Sequence, residues 1–264
     1  MSESKIIHHD ETRATVRERY GNIAREQGAD ACCAPTCCGG NKAFSRAADI
    51  GYSPEDLAQV PEGSEMGLGC GNPTALAQLE AGETVLDLGC GGGFDCFLAA
   101  RQVGPTGFVI GVDMTPDMIS TARRNAEKGG YSNVAFRLGE IEALPVADGI
   151  VDAILSNCVI NLSPDKPAVF REAHRVLKPG GRLSLADIVA TREIPADIRK
   201  DFEALTSCVA GAAHVDETKR MLLEAGFSEV RIELKEETRA MINQWSQSGT
   251  AGDYVVSALI EARK

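Results

Sequence analysis

Hydrophobic and polar positions along this chain alternate between two periods. From residue 84 onward, short runs rich in Leu and β-branched residues ("TVLDLGC", "GFVIGVDM", "VAFRLGE", "GIVDAILSNCVIN", "RLSLADIV") read as buried strands. Between them stand segments of helical period: "FDCFLAARQVG", "TPDMISTARRNAEKGG" and "SPDKPAVFREAHRVLKPGG". The second helix has Pro116 near its start and Gly129 at its end, and the third has a Pro-Gly-Gly stop. "DETKRMLLEAGFSEVRIELKEE" adds a further helix and strand, and "DYVVSALIEARK" a closing strand. Strand–helix repetition of this kind predicts an α/β fold with a doubly wound, mostly parallel sheet. Residues 191–214 break the alternation with a helical insert, and residues 10–28 form a helix whose thin apolar stripe is Val16, Tyr20 and Ile23. "GYSPEDLAQVPEG" starts a short helix before the core. Three regions follow: an N-terminal extension over 1–74, a core over 75–190, and an acceptor-side insert with closing strands over 191–264.

Composition narrows the class. The chain has 264 residues, 44% of them hydrophobic, enough for one large α/β domain or a domain with an appended lobe. No apolar run approaches the ~20 residues of a membrane span, so no membrane partner is expected. The charged start "MSESKIIHHDETRATVRERYG" lacks an apolar leader, which points to a cytoplasmic, reducing location. A net charge of -11 makes nucleic acid a poor partner. Nine cysteines in a reducing compartment suggest metal-binding or reactive thiols more than a disulfide framework, and the odd count argues the same way.

The first specific signal is "VLDLGCGGGFD". Gly89, Gly91 and Gly93 make a G-x-G-x-G turn after the first core strand, where ligands of such sheets lie. Phe94 stands where a dinucleotide fingerprint would carry its last glycine. Asp87 sits inside the strand end, and Asp113 ends the second strand, where an acid suits the two hydroxyls of a ribose. "VLDLGCGGG", "GVDMTPDMI" and "VLKPGG" together resemble the class I S-adenosylmethionine-dependent methyltransferases. That resemblance implies a seven-stranded Rossmann-like sheet with S-adenosylmethionine as cofactor. It places Asp87 and the Gly89–Gly91 backbone at the methionyl part, with Asp113 and Met114 at ribose and adenine. Glu140 and Ile141 would stand at the adenine edge, and Ser156 and Asn157 beside the methionyl group.

The remaining cysteines bear on the methyl acceptor. Cys70 ("GLGCGNP"), Cys158 ("SNCVINLSPDK") and Cys208 ("SCVAGA") lie in three distant segments, among small or turn-forming residues. Each can be a buried small hydrophobe, the common fate of a free cysteine, or one of three thiolates for a soft centre. Cys90 and Cys96 read as structural. Over residues 15–264 the chain resembles the arsenite methyltransferases, through "GLGCGNP", "GVDMTPDMI", "SNCVINLSPDK", "SCVAGA" and "YGNIAREQG". The resemblance implies Cys70, Cys158 and Cys208 as catalytic arsenic ligands. It also implies an N-terminal cysteine for substrate capture, here Cys37 or Cys38 of "CCAPTCCGG". That cluster also reads as an adventitious zinc or copper binder, without zinc-finger spacing. Arsenite or its small-thiol complexes would be the substrate, and glutathione or thioredoxin the reductant. The rivals are a methyltransferase for a small organic metabolite and a non-catalytic metalloid-binding protein.

Overall fold

The computed structural model describes residues 3–28, 50–196, 208–244 and 249–264, with side chains from residue 9 onward and none for residues 27–28. The cysteine-rich loop and residues 197–207 of the 191–214 insert lie outside the described residues.

Seven strands form one sheet: β1 (Thr84–Leu88), β2 (Phe108–Asp113), β3 (Val134–Leu138), β4 (Val151–Asn157), β5 (Leu177–Ala190), β6 (Ser228–Lys235) and β7 (Val255–Arg263). Their order is β3-β2-β1-β4-β5-β7-β6. The first five run parallel, while β7 is antiparallel to both β5 and β6. The order reverses beside β1, so a crevice opens at the carboxyl ends of β1 and β4. The helices are α1 (Glu3–Gly28), α2 (Pro54–Ala58), α3 (Pro73–Ala77), α4 (Phe94–Val103), α5 (Pro116–Gly129), α6 (Lys166–Val176), α7 (Val215–Glu224) and α8 (Arg239–Asn243).

Near-continuous apolar runs make β1, β2, β4 and β5, because a parallel sheet is covered on both faces. On one face Phe97 of α4 is fully buried, against Tyr131 and Phe136. On the other, Phe170 and Val169 of α6 pack with Leu86, Ile154 and Leu183. Pro116 opens α5, and Gly130, in a left-handed conformation (φ 69°), closes it. β5 begins five residues before the expected "RLSLADIV". The "KPGG" segment stops α6 yet stays in the sheet's path, with Gly180 at φ 80° and a register shift opposite Val151 and Ala153. A third cluster gathers Val16 of α1 with Cys70, Cys158, Leu162, Ile188 and Cys208.

Candidate active site

The glycine turn after β1 is fastened to β2. The amides of Gly89 and Cys90 both donate to the Val112 carbonyl, at 2.7 and 3.1 Å. The Gly91 amide donates to Asp113 Oδ2 at 3.0 Å, and the Thr115 amide to Oδ1 at 2.8 Å. Gly89 needs its freedom twice: φ is 71°, and a Cβ there would collide with the Val159 side chain. Asn125 of α5 clamps the turn from outside, donating to the Gly92 carbonyl at 3.0 Å.

Over this turn lies a crevice enclosing about 1120 Å³ of space, part of it open to solvent. Its walls include Met114, Met118, Ile141 and the backbone of residues 89–92. Five acids (Glu65, Asp87, Asp95, Asp113 and Glu142) and one arginine, Arg13, line it, which favours a ligand carrying positive charge. A Cβ added at Gly91 would meet nothing within 4 Å, so the bare backbone there faces ligand space. An acid beside two apolar methionines, a glycine cradle and an acidic far end fit a nucleoside joined to a cationic amino-acid chain. The residues therefore fit S-adenosylmethionine.

The end of the crevice at Asp87 and Asp95 holds a buried polar network. Asp95 accepts from Tyr52 Oη at 2.6 Å and Thr74 Oγ1 at 3.0 Å. The Cys96 thiol donates to Asp87 Oδ2 at 3.2 Å. Burial raises the pKa of Asp87 and Asp95, and the Asp95 charge pushes Asp87 further the same way. Asn157, at the end of β4, joins this network to the cysteine segment. Its Nδ2 donates to the Gly71 carbonyl (2.8 Å) and Tyr52 Oη (3.0 Å), and its Oδ1 accepts from the Cys70 amide (2.9 Å).

Beyond Asn157 the crevice meets the cysteines. Cys70 and Cys158 are joined as a disulfide, with Cα atoms 5.9 Å apart, within the usual range for a bridged pair. This corrects the expectation of separate thiols: two of the three come from segments that the sheet brings side by side. Cys208 is a free thiol, 3% exposed, and donates to the Cys158 carbonyl at 2.9 Å. Burial pushes its pKa well up, and Asp187 pushes the same way against Lys166 and Arg19. Cys158 lines the crevice, while Cys70 and Cys208 pack behind it in the same cluster. Cys158 and Cys208 both have left-handed backbones, at φ 56° and 67°. Burial drives Asp187 up to about 6, against the pull of nearby backbone amides and Lys166.

Helix α1 closes the crevice from above. Arg13 pairs with Glu140 and Glu142 at 3.2 and 3.3 Å, Arg17 with Glu140 at 3.5 Å, and Arg25 with Asp117. Val16 and Tyr20 face the cavity.

Several expected positions fall elsewhere. Glu140 is held by Arg13 and Arg17 of α1 and does not line the crevice; its neighbours Ile141 and Glu142 do. Ser156 is 1% exposed, its hydroxyl donating to the Leu88 carbonyl inside the sheet, so of the expected pair only Asn157 reaches the cavity. Gly93 stays behind the turn, at the start of α4 against Phe97 and Phe136. Cys90 lines the crevice and Cys96 is fully buried. His214 caps α7 away from the cavity. Cys37 and Cys38 lie outside the described residues. Sequence reasoning missed Tyr52, Asp95 and Asp187. Asp95 had a signal, two residues past the glycine turn on α4; the other two had none.

The sheet order, the glycine turn with its second-strand acid, and the crevice define a class I S-adenosylmethionine-dependent methyltransferase. A methyltransferase-domain family model matches residues 79–226. An arsenite methyltransferase of Halobacterium salinarum is 52% identical over 97% of this chain and 67% of its own length. The mouse arsenite methyltransferase is 36% identical over 84% of this chain and 60% of its own. The crystal structure of an arsenic(III) S-adenosylmethionine methyltransferase from Chlamydomonas reinhardtii superposes with a TM-score of 0.61 at 33% identity, covering 80% of this chain and 70% of that one. The chain belongs to the arsenite methyltransferase family. Among the described residues no helix is long and apolar enough to cross a membrane.

Proposed function

We propose that this chain methylates trivalent arsenic, arsenite and then methylarsenite, while Cys70, Cys158 and Cys208 hold the arsenic as thiolates. The observation that carries this reading is the packing of these three cysteines, from three distant segments, in one buried cluster whose member Cys158 lines the acid-lined crevice. Bound S-adenosylmethionine supplies an electrophilic methyl group. The protein's task is then to present a nucleophile on the right axis and keep water away, which in ideal cases is worth up to ~7–11 kcal/mol.

Three sulfurs on one side of arsenic leave its lone pair on the other. No general base is needed, because arsenic carries no proton, and no histidine lines the crevice among the described residues. Val16, Tyr20 and Leu162 cover the cysteine end and keep it dry. The thiols deprotonate as arsenic binds. A small thiol or thioredoxin in a reducing cytoplasm opens the Cys70–Cys158 bond to two thiols, with two electrons and two protons, before arsenic enters. The N-terminal cluster, Cys37 or Cys38 above all, takes arsenic from small-thiol complexes.

The test is incubation of the chain with arsenite, glutathione and S-adenosylmethionine, followed by speciation of arsenic and measurement of S-adenosylhomocysteine. Methylated arsenic with stoichiometric S-adenosylhomocysteine supports the reading. Arsenic binding without S-adenosylhomocysteine would instead assign a metalloid-binding role.

A further inference from the structure

The tightest group of potential donors among the described residues is not three sulfurs. It is the sulfurs of Cys70 and Cys158 with a carboxylate oxygen of Asp187, all buried and within 4.8 Å of one another. Asp187 lies on β5 and is 3% exposed. Its Oδ1 accepts from Asn161 Nδ2 at 2.8 Å and the Ile188 amide at 2.7 Å; its Oδ2 accepts from the Ile160 amide at 2.9 Å. Three N–H groups aimed at one carboxylate favour its anionic form in a place where burial alone would neutralise it. Both oxygens are thus engaged, and a carboxylate is a hard donor beside soft thiolates. Asp187 is not built as an arsenic ligand.

We propose that Asp187 is a charge-compensating positioning residue, whose fixed negative charge stabilises the cation that arsenic becomes on accepting a methyl group. The inference rests on arsenic being held by these cysteines, as proposed above. Trivalent arsenic with three thiolates is neutral. Its lone pair forms the As–C bond, while the donor's C–S bond breaks and leaves its pair on the donor sulfur, now a neutral thioether. Arsenic is formally oxidised by two electrons and carries one positive charge. That charge arrives inside the sulfur shell beside Asp187. A preorganised opposite charge in a dry site counts most where charge develops. The half-buried Lys166 ammonium lies near enough to Asp187 to moderate the field.

The test uses the whole chain and three variants: Asp187→Asn, Asp187→Glu and Asn161→Ala. Arsenite affinity is read without S-adenosylmethionine from the arsenic–thiolate absorbance, and methyl transfer from single turnovers at saturating arsenite. Asp187→Asn should keep arsenite affinity within about threefold while its single-turnover rate falls roughly 10- to 100-fold. Asp187→Glu should recover most of that rate. Asn161→Ala keeps the charge but removes one of the three hydrogen bonds to it, along with that to the Ile188 carbonyl, so its rate should stay within about fivefold of the wild type. If Asp187→Asn does not fold, Asp187→Glu and Asn161→Ala decide: both retain a buried anion, and both must stay near the wild-type rate. A full rate in Asp187→Asn, or equal losses in Asp187→Asn and Asn161→Ala, overturns the proposal. A wild-type chain that forms no methylated arsenic refutes the activity itself, which is a separate outcome.

Discussion

Replacing Asn157 by Ala tests how the two halves of the site are joined. The side chain makes four contacts: from the Cys70 amide (2.9 Å), and to the Gly71 carbonyl (2.8 Å), Tyr52 Oη (3.0 Å) and Asp95 Oδ2 (3.4 Å). Truncation leaves the Cys70 amide and Gly71 carbonyl without these partners in a segment where Cys70 is 2% exposed. At about 1 kcal/mol net for each good hydrogen bond, plus the cost of stranded backbone groups, the loss is about 2–4 kcal/mol. Unfolding entropy of ~2.1 cal/mol/K per residue over 264 residues is about 0.55 kcal/mol/K, so the melting temperature should fall by about 4–7 °C. Asn157→Asp keeps the oxygen that the Cys70 amide needs but sets a third carboxylate beside Asp95 and near Asp87, so it should be no better. Calorimetry of the cofactor-free protein gives the melting temperatures. Labelling of the reduced protein with a thiol reagent reports whether Cys70 has become accessible. If both variants melt within a degree of the wild type and Cys70 reacts no faster, Asn157 does not hold the cysteine segment in place.

Asp113→Ala should weaken S-adenosylmethionine binding by about 1.5–3 kcal/mol in calorimetry, since the ribose loses a charged acceptor and the Gly91 amide loses its partner. Unchanged affinity would remove Asp113 from the site. Cys158→Ser and Cys208→Ser should each abolish arsenite methylation while leaving cofactor affinity nearly intact, because a serine oxygen is hard where arsenic is soft. Wild-type turnover in either would make that cysteine a packing residue. Stability should rise as pH falls from 7.5 to 5. Asp87, Asp95, Asp113 and Asp187 have pKa values raised by burial, so over that range the folded chain binds more protons than the unfolded one and gains stability as pH falls. Glu83 and Glu172 behave oppositely. Burial pushes Glu83 up, but Arg182 and the Glu80 amide outweigh it; Arg175 pulls Glu172 down. Their contribution is present above the ordinary glutamate value of ~4.3 and is lost as pH falls through their lower folded values. A urea midpoint that rises steadily from pH 5 to 7.5 would refute this balance.

Most of the sheet was legible in the sequence because a strand buried on both faces must be apolar throughout and must end in turn chemistry. β1, β2 and β4 announce themselves that way, and Gly89 follows β1 where the ligand crevice requires it. The start of β5 was not legible. "KPGG" carries the strongest stop signal in the chain, and it does stop α6. The tertiary demand that β5 reach β4 early then overrides local propensity, with Gly180 taking the φ that the detour needs. Helix α8 was also hidden, being five residues long and stabilised by contacts such as Arg239 to the Gly252 carbonyl, at 2.7 Å.

The site divides the same way. The place of Asp113 on the crevice wall was legible because it follows from position at a strand end, which sequence shows. Ser156 was misplaced because a single residue of offset in a strand sends a side chain to the opposite face, and Glu140 because the arginines of α1 that engage it lie more than 120 residues away in sequence. Asp187 was invisible: its neighbours Cys70 and Cys158 are themselves 88 residues apart, and nothing local marks a buried acid that three amide groups will collect. The cysteines carry one further clue that only the backbone shows. Among the described residues, four that are not glycine have positive φ, and two of them are Cys158 and Cys208. A left-handed residue with a Cβ costs roughly 1–2 kcal/mol that glycine would avoid. Packing alone gives no reason to accept that cost twice at one spot, since a glycine or a small residue in a relaxed backbone would fill the same space. A requirement for two sulfurs at fixed positions does give one, and the strain lies where the proposed chemistry needs the sulfurs aimed.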